Sequence, residues 1–172
     1  MKLVTAIAML GCPSLAIADD DWTGFYAGLH VAASDADLSS GAARVSEVTE
    51  AYGVQVGYNH ALANNWVVGG ELSYSTAEYG KLGPLKDMDT TRLKLKVGYA
   101  FGATMAYGVL GYANIDSNAG SDGAATYGVG LGYKATDNII LNAEILRDSF
   151  DIKSAGVDAD VTSLVLGVSY QF

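Results

Sequence analysis

The sequence predicts an all-β protein, an eight-stranded antiparallel up-and-down transmembrane β-barrel. Three observations predict it. Apolar residues recur at every second position in stretches of about ten residues, the period of a strand with one oily face. The connections between stretches alternate between short and long, as in a barrel with tight turns at one rim and loops at the other. Charge is scarce: of 172 residues, 50% are hydrophobic and 17% charged, against about 25% charged in soluble domains. No apolar run in the body of the chain approaches the roughly 18 residues of a membrane helix. The net charge of −9 argues against nucleic acid as a partner, since phosphates need basic patches.

Residues 1–18 read as a cleavable signal peptide. Lys2 gives a basic start, a mostly apolar stretch follows, and Ala16 and Ala18 occupy the −3 and −1 positions of a signal-peptidase site. The alternatives are a first core helix and, through Leu10-Gly11-Cys12, a lipoprotein cleavage box. Cleavage after Ala18 removes Cys12, the single cysteine, and leaves 19–172 as one barrel domain without a disulfide.

Eight stretches follow. The first, 25–33, alternates loosely. In the second, 51–59, Tyr52, Val54, Val56 and Tyr58 oppose Gly53, Gln55, Gly57 and Asn59. The third, 66–76, is again loose. In the fourth, 92–102, Leu93, Leu95, Val97, Tyr99 and Phe101 oppose Arg92, Lys94, Lys96 and Gly98. The fifth, 105–115, is loose. In the sixth, 126–134, Tyr127, Val129, Leu131 and Tyr133 oppose three glycines and Lys134. The seventh, 139–150, is loose, and in the eighth, 161–172, Leu164, Leu166, Val168, Tyr170 and Phe172 oppose Ser163, Gly167, Ser169 and Gln171. Connections at 61–65, 102–104 and 135–138 are short, and those at 34–48, 77–89, 116–123 and 151–160 are longer. Both termini then lie at the periplasmic rim. A misreading of the looser stretches as more strands would give ten and a wider bore.

A soluble barrel with the same period would turn its apolar face inward. Here the polar faces are mostly Gly, Ser, Asn and Gln, too bland for a water-exposed surface and small enough for a cramped bore. The long loops, with Glu50 and Asp148 at their edges, hold thirteen acids and four bases. The strands and short turns hold Glu71, Glu144 and Asp137 against Arg92, Lys94, Lys96, Lys134 and Arg147. Aromatic residues gather near the predicted periplasmic interface, where amphipathic rings favour the headgroups: Trp22, Phe25, Tyr58, Trp66, Tyr99, Phe101, Tyr133, Tyr170 and Phe172.

Trp22-Thr23-Gly24-Phe25-Tyr26-Ala27-Gly28 resembles the opening strand of the outer-membrane β-barrel (opacity/porin-like) family of alphaproteobacteria. The segments 53–59 and 66–71 resemble its second and third strands, and Ala143-Glu144-Ile145 sits where the family often has a Glu-Tyr pair, here without the Tyr. Tyr170-Gln171-Phe172 resembles the C-terminal signal read by the barrel-assembly machinery. The resemblance implies residence in the Gram-negative outer membrane among lipid and lipopolysaccharide, passage by periplasmic chaperones and the assembly machinery, and a monomer. It says little about activity.

Glu71, Arg92, Lys94, Lys96, Lys134 and Glu144 are expected to form a lumen charge network, with Glu71 nearly opposite Lys96 if the third and fourth strands pair symmetrically about their loop. Such a network can be a structural plug or a gate for small ions. An enzyme would need a base and a nucleophile; His30 and His60 are the histidines, and Ser34, Ser73 and Ser75 could approach His30. The acidic pairs Asp35/Asp37, Asp87/Asp89 and Asp158/Asp160 read as solvated loop charge, with Mg²⁺ or Ca²⁺ bridging to lipopolysaccharide as the alternative. No cofactor is expected. The expected role is structural and surface display, with a small-solute channel as the alternative and a lipid-modifying enzyme third.

Overall fold

The computed structural model describes residues 22–38, 48–78, 87–117, 120–152 and 157–172. The predicted signal segment lies outside the described residues. Eight strands, β1 (Gly24–Leu38), β2 (Val48–Ala61), β3 (Trp66–Glu78), β4 (Asp87–Phe101), β5 (Thr104–Ser117), β6 (Gly120–Lys134), β7 (Ile139–Ile152) and β8 (Val157–Gln171), form a closed barrel. Each is antiparallel to the next, and β1 closes on β8 through pairs such as Leu29↔Val168 and Val31↔Leu166. Closure satisfies the backbone without an edge, the condition for a sheet to cross lipid.

The two faces are inverted relative to a soluble protein. On β8, Leu164, Leu166 and Val168 are 47%, 49% and 43% exposed, whereas Ser163, Ser169 and Gln171 are at most 5% exposed. The same division runs along β2 and β4, where Val54, Val56, Leu93 and Leu95 point out and Gln55, Asn59, Lys94 and Lys96 point in. The bore is not polar throughout. On β5 the inward residues Met105, Tyr107 and Val109 are apolar or aromatic, and with Ile140, Leu146 and Val165 they form a buried cluster. The looser alternation of β5 and β7 has this cause: both faces carry apolar residues.

The strands, 13 to 15 residues each, exceed the roughly eleven needed to cross a bilayer. The excess lies at the loop end, where pairs such as Asp37↔Asp160 and Asp35↔Val48 carry the ladder onward. The 116–123 connection, expected to be long, is a tight hairpin instead: Asp116↔Ser121 and Ser117↔Gly120 are paired. Polar strands standing above a bilayer have loop-like composition, so hydropathy does not separate the two. At the other rim the turns are short. A 3₁₀ turn at Ala63–Asn65 links β2 to β3 with Asn64 and Asn65 at φ 61° and 65°. This is the left-handed region that Asn tolerates better than most residues.

Gly128 on β6 shows how little room the staves leave. A Cβ there would run into the Ile145 carbonyl oxygen and lie 3.0 Å from Leu146 Cα, both backbone atoms. At outward-facing Gly108 the nearest such atom is 3.9 Å away. Gly128→Val should therefore lower stability to urea by about 1–3 kcal/mol, the usual range for overpacking. Gly108→Val should stay within about 0.5 kcal/mol. Unfolding midpoints of the two refolded variants check this.

Candidate functional site

The inward parity of three strands brings the charges together. β3 contributes Glu71, β4 contributes Arg92, Lys94 and Lys96, and β7 contributes Glu144; all are at most 8% exposed. The register places Glu71 directly opposite Lys94, with Lys96 opposite Gly69. The expected Glu71–Lys96 opposition is thus shifted by two residues, because the hairpin, with Glu78↔Asp87 as its last pair before the loop, is centred one residue nearer the N-terminus than that opposition requires. Lys96 still reaches Glu71 along the diagonal, a distance long side chains bridge.

Together the four side chains make an alternating ring. Lys94 Nζ lies 2.5 Å from Glu71 Oε1 and 2.7 Å from Glu144 Oε2. Lys96 Nζ lies 2.5 Å from Glu71 Oε2 and 2.9 Å from Glu144 Oε1. Two tyrosines complete it: Tyr26 Oη donates to Glu71 at 2.8 Å, and Tyr107 Oη donates to Glu144 at 2.9 Å. Lys96 Nζ also sits 5.0 Å and 5.7 Å from the centres of the Tyr107 and Tyr26 rings, within cation–π range. Desolvating four charges is expensive, and only close pairing with additional hydrogen bonds offsets it. Each carboxylate here has both.

A second pair stands beside the ring. Arg92 Nη2 lies 2.7 Å from Asp148 Oδ2, and Thr126 Oγ1 donates to Asp148 Oδ1 at 2.5 Å. Asp148, assigned by sequence to a loop edge, is fully buried. Its four-residue spacing from Glu144 on β7 gives it the same inward parity, and that was the available signal. Tyr26 and Tyr107 carried none, since tyrosines occur on both faces. Further along the bore, Gln55 Nε2 donates to Asn142 Oδ1 and Ser169 Oγ at 3.1 Å and 2.9 Å.

Lys134 is buried with its ammonium 5.9 Å from the centre of the Trp22 ring. Trp22 corrects the expected aromatic belt. It is 1% exposed and belongs to the lumen, because Trp22 itself, just ahead of β1, turns its ring inward against Met105 and Gly132. Phe25, Tyr58, Trp66, Phe101, Tyr133, Tyr170 and Phe172 are exposed on the outer wall and Tyr99 partly so. Neighbours touch, as in Phe25–Tyr58 and Trp66–Tyr99, with ring centres 4.7 Å and 5.8 Å apart.

His30 is buried in the bore and His60 is exposed at the end of β2. The Ser34 hydroxyl pairs with that of Ser163 at 2.8 Å rather than with His30. Among the described residues no group of three or more His, Cys, Asp or Glu side chains could hold a metal ion. The side chains of Asp35, Asp37, Asp87, Asp158 and Asp160 lie outside the described residues.

Residues 4–172 match the family described as outer membrane protein beta-barrel domain. The chain belongs to this family. It is an outer-membrane β-barrel of the Gram-negative type, and its exposed apolar faces meet membrane lipid. Among solved structures the barrel is similar to Ail, the attachment invasion locus protein of Yersinia pestis, at 19% identity and TM-score 0.60, covering 87% of this chain and 99% of that one. It is also similar to Neisserial surface protein A (NspA), at 17% identity and TM-score 0.61, covering 87% and 98%. A second Ail crystal structure, in complex with the heparin analogue sucrose octasulfate, matches at 18% identity and TM-score 0.54, covering 87% and 99%. At these identities the likeness is one of fold. No curated protein matches the chain.

Proposed function

We propose that this outer-membrane barrel is a closed structural and surface-display protein whose lumen is plugged by its own side chains and whose acidic loops face the cell exterior. The ring of Lys94, Lys96, Glu71 and Glu144 carries this reading: every ammonium–carboxylate distance in it is 2.9 Å or less. An eight-stranded barrel is about wide enough for its own side chains. Such a bore has no room for a solute past four paired charges and two tyrosines.

The proposal extends to the finer assignments. The chain is non-enzymatic and needs no cofactor, consistent with the Ser34–Ser163 pairing that draws one nucleophile candidate away from His30. It is a monomer of the opacity/porin-like kind from an alphaproteobacterium. Residues 1–18 direct export, and Tyr170 and Phe172 present the signal to the assembly machinery after chaperone escort. Lipopolysaccharide surrounds the loops. The sulfated ligand of the Ail complex does not transfer, because with Asp148 inside the bore the loops still hold twelve acids against four bases. A polyanion meets like charge there.

Single-channel recording in planar bilayers tests the reading. The native barrel should show no sustained conductance, and Glu71→Gln should leave that baseline unchanged. Regular openings in the native barrel, altered by Glu71→Gln, would instead assign the ring as an ion gate.

A further inference from the structure

Trp22 precedes β1 and is not part of the sheet, yet its indole is 1% exposed inside the periplasmic end of the bore. Its Nε1 donates to the Gly102 carbonyl at 3.2 Å, on the turn between β4 and β5. On the opposite flank the ring lies against Gly132 of β6, where a Cβ would meet Trp22 Cη2 at 3.3 Å. Lys134 Nζ approaches one ring face. The short segment carrying the indole is pinned on both sides of β1. Ala61 N–H donates to Thr23 Oγ1 at 3.0 Å from the end of β2, and Gln171 Nε2 donates to the Thr23 carbonyl at 2.9 Å from the end of β8.

Between Trp22 and the charge ring lies a cavity of about 20 Å³, bordered by both and by Gln55, Asn59 and Asn142. These three lining residues carry buried polar atoms without a hydrogen-bonding partner, Gln55 Oε1, Asn59 Oδ1 and Asn142 Nδ2. A water molecule needs about 10–15 Å³ and two to four polar partners, and this space supplies both.

We infer that Trp22 is a periplasmic stopper, a second seal on the bore separate from the ion-pair ring, and that it encloses a chamber holding one water. The inference rests on the closed-lumen reading and adds to it. Rearranging the ring alone cannot open a path through the barrel, because the hydrogen bonds that hold the stopper run to Gly102, Ala61 and Gln171, none of them a member of the ring.

The test places a single thiol in the chamber. In a Cys12→Ser background, Gln55→Cys in the refolded, micelle-embedded barrel should react with methyl methanethiosulfonate about tenfold more slowly than the same thiol in a Trp22→Ala barrel, as expected when reaction awaits local opening. Equal rates overturn the stopper. Heat-modifiable gel migration reports whether Trp22→Ala has folded. If it has not, iodide quenching in Trp66→Phe, where Trp22 is the remaining tryptophan, decides the matter: shielded emission supports the stopper, and quenching like free tryptophan overturns it. A native barrel that conducts would sink the closed-lumen reading. A non-conducting barrel with a readily modified Cys at position 55 sinks the stopper alone.

Discussion

Glu71→Ala should lower the unfolding free energy of the refolded barrel by about 3–5 kcal/mol, the penalty for removing one partner of a buried ion pair. The variant leaves Lys94 and Lys96, both at most 7% exposed, with Glu144 as the one carboxylate of the ring. It also strips the Tyr26 hydroxyl of its acceptor. Glu71→Gln keeps the volume and an acceptor and should lose less. In a double-mutant cycle with Lys96→Met, the pair should lose less than the sum of the single changes, because the two residues share one contact. Urea titrations followed by tryptophan fluorescence give all four values. A loss under about 1 kcal/mol for Glu71→Ala would show that the lysines are solvated, in the range of exposed pairs.

Leu95→Lys should cost about 2–4 kcal/mol, the range for a lysine facing lipid near the bilayer midplane. Its sequence neighbours on both sides are already lysines. Lys94 and Lys96 are buried in the bore among carboxylates, whereas Leu95 is 65% exposed on the outer wall. The same side chain is thus accommodated at 94 and 96 and penalised at 95, and only the direction of the side chain differs. Equilibrium unfolding from lipid vesicles reads the difference. A cost near zero would mean that the outer wall at this height meets water.

Much of this was legible in the chain. A period of two exposes itself wherever one face is uniformly bulky, as in β2, β4 and β8, and it places Glu71, Lys94, Lys96 and Glu144 on the inner wall before any coordinates. Register is less legible, because it depends on where a hairpin turns and not on which face is oily. Placing the centre of the β3–β4 hairpin one residue too late therefore misses Glu71↔Lys94 by two residues. The β5–β6 hairpin was hidden for a related reason. Above the bilayer both faces of a strand meet water, so Asp116 and Ser121 look like loop residues although they pair. Asp148 was hidden by the same bias, since an acid near a loop reads as surface until its parity with Glu144 is weighed. Trp22 shares the inward parity of Tyr26 and His30, but parity alone does not carry past the start of the strand. It lies outside the alternating stretch, and its burial depends on hydrogen bonds from Trp22 to the Gly102 turn and from the ends of β2 and β8 to Thr23.

The plugged lumen and the lipid-facing wall both depend on which face of the sheet touches lipid. Nitroxide labels at positions 164, 165 and 166 of the vesicle-reconstituted barrel, in a chain free of Cys12, test this directly. Labels at Leu164 and Leu166 should collide freely with molecular oxygen dissolved in the bilayer, and a label at Val165, 4% exposed in the native barrel, should be immobilised and shielded from both oxygen and a water-soluble nickel chelate. The reverse pattern, with position 165 open to lipid and its two neighbours buried, would contradict the inverted barrel and the plugged lumen with it.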